Sequence, residues 1–153
     1  MSQDPLDTNV ADIDISYPII PAGLYQLDIK SAKKEPSKKG GENLVIQFAT
    51  KEPIQSVKGD MVPTGFVLLQ NVSLTPTEKY SAVDIGKRIA AITQSAGFTV
   101  ADGLTPRAVI NDPNRIVGRV VTAKVQISKE RTNPETGTIY PERSEIASFV
   151  VKR

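Results

Sequence analysis

Two groups of cations and one aromatic ring have chemistry to offer. Lys33, Lys34, Lys38 and Lys39 crowd the stretch from Ser31 to Gly41, with Glu35 the one acid among them. Lys129, Arg131 and Arg143 surround a second stretch, where Tyr140 stands beside Pro141, and Lys124 precedes it. Closely spaced ammonium and guanidinium groups neutralise successive phosphates of a nucleic-acid backbone. An exposed ring offers a face on which a base stacks, worth roughly 1–3 kcal/mol. These nine residues are the candidate nucleic-acid contacts, with Tyr140 stacking and the rest on phosphates. Each also has a plainer explanation: lysines solvate surfaces, and a tyrosine beside proline packs a loop.

Other chemistries are excluded or poorly supported. The chain has no cysteine and no histidine. Disulfides, Cys/His zinc sites, thiol nucleophiles and Ser-His-Asp devices are therefore absent, as is the usual proton shuttle near neutral pH. Asp12 and Asp14 could share a metal, but they belong to an acidic leader that solvation explains better. Gly40-Gly41 and Gly86-Lys87 lack the rest of a phosphate-binding loop, since Arg88 stands where that loop needs Ser or Thr. The expectation is a protein with no catalytic residues, no metal and no cofactor.

At 153 residues the chain is long enough for one domain with a single core. Its net charge of +2 is unevenly laid out. Of the 17 acids, Asp4, Asp7, Asp12 and Asp14 stand in the first 16 residues, which hold no base, so 13 acids face all 19 bases in the rest. A basic body with an acidic leader fits a polyanion binder carrying a weak internal competitor. Residues 1–16 read as a flexible acidic arm, and 17–153 as one nucleic-acid-binding domain. No apolar run reaches the roughly 18 residues that a membrane helix needs, and the leader is acidic where a signal peptide is basic. The expected location is the compartment of synthesis, without membrane contact.

The elements that must hold these residues follow from periodicity. Tyr25, Leu27 and Ile29 alternate with Gln26, Asp28 and Lys30, and Leu44, Ile46 and Phe48 do the same, as half-buried strands require. Ser31–Gly41 between them reads as a mobile cationic loop. Gly65–Leu74 is a third strand, apolar on both faces at its start and so expected to be central or covered. Ser81 opens a helix: Asp84 completes a capping arrangement, Ile85, Ile89, Ile92 and Ala96 make one buried face, and Gly97 closes it. Thr105-Pro106 suits a short helical turn. Val117–Lys129 is the longest expected strand, with Val121, Ala123, Val125 and Ile127 inward. A Pro/Gly turn at Thr132–Gly137 leads into the last strand, with Ile146 on one face and Phe149 and Val151 on the other. The order β-β-β-α-β-β predicts a mainly β fold, an OB-fold-like five-stranded barrel with one helix between strands 3 and 4. The competing architecture is a β-sandwich with one helix.

A succession of segments resembles a known family. It comprises Pro21-Ala22-Gly23-Leu24-Tyr25, Lys38-Lys39-Gly40-Gly41-Glu42-Asn43-Leu44 with Phe48, the Ile85–Gly97 helix, Ile116-Val117-Gly118-Arg119-Val120, and Tyr140-Pro141-Glu142-Arg143-Ser144-Glu145-Ile146 with Phe149. This is similar to small bacteriophage proteins long filed as a domain of unknown function and found among replication and recombination genes. They are regarded as OB-fold single-stranded-DNA-binding proteins. The resemblance runs over residues 18–151. It implies single-stranded DNA as partner, phage replication or recombination proteins as further partners, and the host cytoplasm as location. The C-terminus Val150-Val151-Lys152-Arg153 departs from the wider class of bacterial-type single-strand binders in lacking an acidic tail.

The expected function is sequence-tolerant single-stranded DNA binding in phage DNA replication or recombination, by a basic groove plus stacking. The alternative is a virion structural or decoration protein, with Val67 and Leu69 outward as an interface. A homodimer fits either reading as well as a monomer does.

Overall fold

The computed structural model describes residues 18–37 and 40–151, together with Leu6 and Ala11. The acidic arm assigned to residues 1–16 otherwise lies outside the described residues, as do Tyr17, Lys38 and Lys39.

Strand β1 (Gly23–Pro36) organises the sheet. Leu27 and Ile29 are buried and Gln26 and Lys30 exposed, as the alternation demands. The first half of β1 pairs antiparallel with β6 (Val120–Ser128), and its second half with β2 (Glu42–Thr50). Within the β1–β2 ladder, just past the last rung with β6, Lys30 is an extra residue: Ile29 faces Phe48, yet Ser31 faces Gln47. A bulge of this kind bends and twists a strand. It also shifts the inward phase, so that Ala32 becomes the next buried residue.

The bulge changes what the lysine stretch is. Alternation alone ends the strand at Lys30 and leaves Ser31–Gly41 as a loop. Pairing with β2 instead carries β1 on to Pro36, with Lys33 opposite Val45 and Lys34 opposite Leu44. Only Ser37–Gly41 turns. A polar run can stay in a ladder when one face of the sheet meets water.

After β2 come the short hairpin β3 (Ile54–Gln55) and β4 (Met61–Val62), then β5 (Val67–Ser73). The main sheet is antiparallel, in the order β5-β2-β1-β6-β9, where β9 is Arg143–Phe149. All the longer strands thus belong to one sheet, and the β-sandwich alternative does not describe the chain. The edge strands β5 and β9 approach each other without a ladder joining them. The sheet is curled and not closed into a barrel. The apolar start of β5 is therefore not covered: β5 is an edge strand, and Val67 and Leu69 stand exposed on its outer side. Nor is the fourth long strand the longest, since β1 has 14 residues and β6 has 9.

Helix α1 (Ala82–Ser95) is the element most fully anticipated. The Ser81 hydroxyl accepts the Asp84 N–H, and the Asp84 carboxylate accepts the Ser81 N–H at 2.9 Å. These bonds, backbone first, lower the Asp84 pKa from its ordinary 3.8. Ile85, Ile89, Ile92 and Ala96 are buried, and Gly97 has φ 89°. Ser95 binds the helix end to the sheet, its hydroxyl donating to Thr122 C=O and accepting Thr122 N–H, both at 3.1 Å. The short helical turn expected at Thr105-Pro106 is a second helix, α2 (Pro106–Asn111), which follows α1 before β6. Thr105 caps it through the Ala108 N–H.

The core lies inside the curl, against α1. Phe48, Leu27, Ile29, Leu44, Ile46, Val72, Ile89, Ile92 and Val121 are fully buried there, each contributing roughly 1.5–3 kcal/mol relative to exposure. Phe149 joins this side, its ring 5.4 Å from that of Phe48. Simple alternation puts Phe149 on the face opposite Ile146. A second bulge, between the pairs Lys124/Ser148 and Val125/Ile146, restores both residues to the core side. Among the described residues no helix is long and apolar enough to cross a membrane.

Candidate nucleic-acid interface

The candidate residues fall at two ends of β1. Because β6 runs against the start of β1, its own end and the hairpin beyond it lie near Gly23. Lys33 and Lys34 lie beyond the bulge, roughly 30 Å further along the strand by the rise per residue.

At the first end, β6 and β9 carry Lys124 and Arg143 on the outward face. Lys124 lies opposite Leu24 and Ser148, and Arg143 opposite Ser128. Between them Gln126 donates to the Glu145 carboxylate at 2.8 Å. Beyond Lys129 the chain forms a two-rung ladder, β7 (Arg131–Thr132) with β8 (Ile139–Tyr140), in which Arg131 faces Tyr140. The guanidinium stands 5.9 Å from the ring centroid, within cation–π reach. Asn133 shapes the tip: its N–H donates to Thr138 C=O, its C=O accepts the Gly137 N–H, and its side chain accepts the Glu135 N–H. Tyr140 keeps 46% of its surface exposed. Lys124, Lys129 and Arg143 have no ion-pair partner among the described residues.

The other aromatics are engaged elsewhere. Tyr25 donates its hydroxyl to Pro21 C=O at 2.7 Å, and burial raises its pKa. Phe66, Tyr80 and Phe98 are packed against the core. Tyr140 is thus the ring best placed to stack among the described residues.

At the second end, Lys33 holds Glu35 at 3.1 Å and Lys34 is exposed. The turn beyond is braced. Ser37 N–H donates to Gly41 C=O, and the Ser37 hydroxyl accepts the Gly41 N–H. Thr75, from the connection between β5 and α1, lies so close to Gly41 that a Cβ there would collide with its Oγ1. Lys38 and Lys39 belong to this turn in sequence but lie outside the described residues.

Beside the turn is a recess of about 560 Å³ on the outer side of β2 and β5. Asn43, Asn71, Ser73, Thr75 and Thr77 line it, with Val45 among them and Glu35 also contributing. The side chains of Asn43, Asn71, Ser73 and Thr77 make no hydrogen bond among the described residues. Sequence reasoning missed this group, since its members come from separate strands. The available signal is that Asn43 and Val45 on β2, and Asn71 and Ser73 on β5, occupy the outward phase of their strands.

No protein-family model and no curated protein matches the chain.

Proposed function

We propose that the chain is a non-enzymatic, OB-type protein that coats single-stranded DNA, in the service of phage DNA replication or recombination. One observation carries the reading: the sheet order β5-β2-β1-β6-β9, with its helices between the third and fourth long strands. An OB barrel is a five-stranded, partly open barrel whose strand 2–3 face and first and last hairpin loops bind oligonucleotides. The corresponding parts here are β2 with β5, the lysine turn and the β7–β8 hairpin. Lys33 and Lys34 on β1, Lys124 on β6, Lys129 and Arg131 at the start of the β7–β8 hairpin and Arg143 on β9 meet phosphates beside these parts, as do Lys38 and Lys39 of the lysine turn, and Tyr140 stacks. Binding is largely tolerant of sequence and falls steeply with salt, because phosphate neutralisation releases counterions.

The test is fluorescence anisotropy with a labelled oligo-dT of about 30 nucleotides, room for more than one OB footprint, at low and high salt. Tight, salt-dependent binding that an equal-length duplex does not displace is expected. No binding at low salt rejects the proposal. It would favour the second reading, a virion structural or decoration protein, for which exposed Val67 and Leu69 on an open edge strand are the supporting observation.

A further inference from the structure

The recess between β2 and β5 differs in chemistry from the cationic surfaces around it. Among the described residues its lining is mostly amide and hydroxyl, Asn43, Asn71, Ser73, Thr75 and Thr77 with the apolar Pro36 and Val45, and holds no lysine or arginine. Its one ionisable member among the described residues is an acid, Glu35, whose partner Lys33 sits outside the lining. A carboxylate at a recess repels phosphate and accepts hydrogen bonds from amino groups. Unengaged amides at Asn43 and Asn71 supply donors and acceptors together, and hydroxyls adapt to either. The fitting occupant is neutral, flat-edged and carries N–H groups, and it is attached to an anionic backbone that Lys33, on the same outward phase, can hold outside. A nucleobase meets this description, and a backbone phosphate does not.

We infer that the Asn43–Asn71–Ser73 recess is a base-reading subsite, which takes one base of a bound single strand by its polar edge and favours bases with an exocyclic amino group over thymine. The inference rests on the single-strand-binding proposal and goes beyond it, because stacking and phosphate contacts alone give tolerance of sequence. Glu35 accepting from the amino group of cytosine is a pairing that base-edge geometry allows. Thymine offers a carbonyl at the same position, which the carboxylate repels. Asn71 and Asn43 then hold the neighbouring atoms of the edge.

Anisotropy titrations with oligo-dC and oligo-dT of about 30 nucleotides test this, since both are pyrimidine strands long enough for an OB footprint. The native protein should bind oligo-dC at least about threefold tighter, a modest share of what one good base-edge contact discriminates. Glu35→Gln should bring the ratio toward one by raising oligo-dT affinity as the repulsion goes, and Asn71→Ala should do so by weakening oligo-dC more than oligo-dT. A structural role alone would weaken both oligonucleotides together. Equal affinities in the native protein overturn the subsite and leave the single-strand reading standing. A preference that survives both variants also overturns it. Failure to bind either oligonucleotide overturns both proposals at once.

Discussion

The two ends of β1 carry similar cations on different supports. The lysine end is braced: Ser37 closes its turn, and Thr75 packs against Gly41 from the β5–α1 connection. The β7–β8 end is a two-rung ladder whose tip is held by Asn133 and Thr138 within the hairpin itself. The braced end has the hydrogen-bonding recess, whereas the β7–β8 end has the exposed ring. A surface that must read a base edge needs fixed donors and acceptors, and other elements fix them. A ring that only stacks tolerates a less supported position, because every base has a face.

The strongest way to break this comparison is through its glycines. Gly41→Ala places a methyl group against Thr75 and should cost about 1–3 kcal/mol, as overpacking does. Gly137→Ala adds a methyl group that meets nothing, and strains only a φ of 71°, so about 1 kcal/mol is expected. Urea denaturation of the two variants measures the difference. Equal losses would mean that the lysine turn is no better braced than the other.

Binding separates the ends next. Tyr140→Ala should lower affinity for single-stranded DNA by the roughly 1–3 kcal/mol of one stacked base, with the thermal midpoint unchanged. An unaltered affinity removes the β7–β8 hairpin as a stacking platform. Charge sharpens the point. Lys33→Gln with Lys34→Gln should lower the slope of log affinity against log salt by about 1.4, the value for two phosphate contacts on a single strand. Arg131→Gln with Arg143→Gln should do the same if one strand engages both ends. A slope that changes in only one pair assigns the phosphates to that end.

The smallest effect concerns the brace itself. Ser81→Ala removes the cap of α1, directly after the connection that holds Gly41, and should cost about 1 kcal/mol of stability. Asp84 adds a pH signature. Its folded pKa is depressed, so its contribution is present above the ordinary value of 3.8 and is lost as pH falls through the folded value. The stability gap between the native chain and Asp84→Ala should hold at neutral pH and close on the acid side of about 4. A gap constant down to pH 3 would show that the carboxylate's ionisation is immaterial, whatever the brace does.

What was legible in the sequence was local. The α1 helix declares itself through Ser81, Asp84, Gly97 and the isoleucine spacing, all within one segment. The inward faces of β2 and β6 are equally plain from alternation. The passage of β1 through its lysines was not legible, because the bulge at Lys30 and the pairing with β2 are decided across strands. The same holds for Phe149, which alternation sends outward and the bulge returns to Phe48. Among the candidate site residues, Tyr140 and Arg131 could be read from neighbouring positions in one hairpin. The amides and hydroxyls of the recess could not, since only the β2–β5 register sets Asn43 opposite Ser73 and Asn71 opposite Val45.

Lys30 illustrates how deletion and substitution ask different questions of a chain. It is the surplus rung of β1, standing between Ile29 opposite Phe48 and Ser31 opposite Gln47. Its removal would leave Ile29, Ser31 and Ala32 in regular alternation, each on the face it already occupies. The core would keep its members, and Lys33 would keep its outward aim. The strand would lose its bend, since that is what a bulge supplies, and with it part of the curl that draws β5 toward β9. One residue, replaceable in kind by almost any other, thus adds its share of the sheet's curvature by being present.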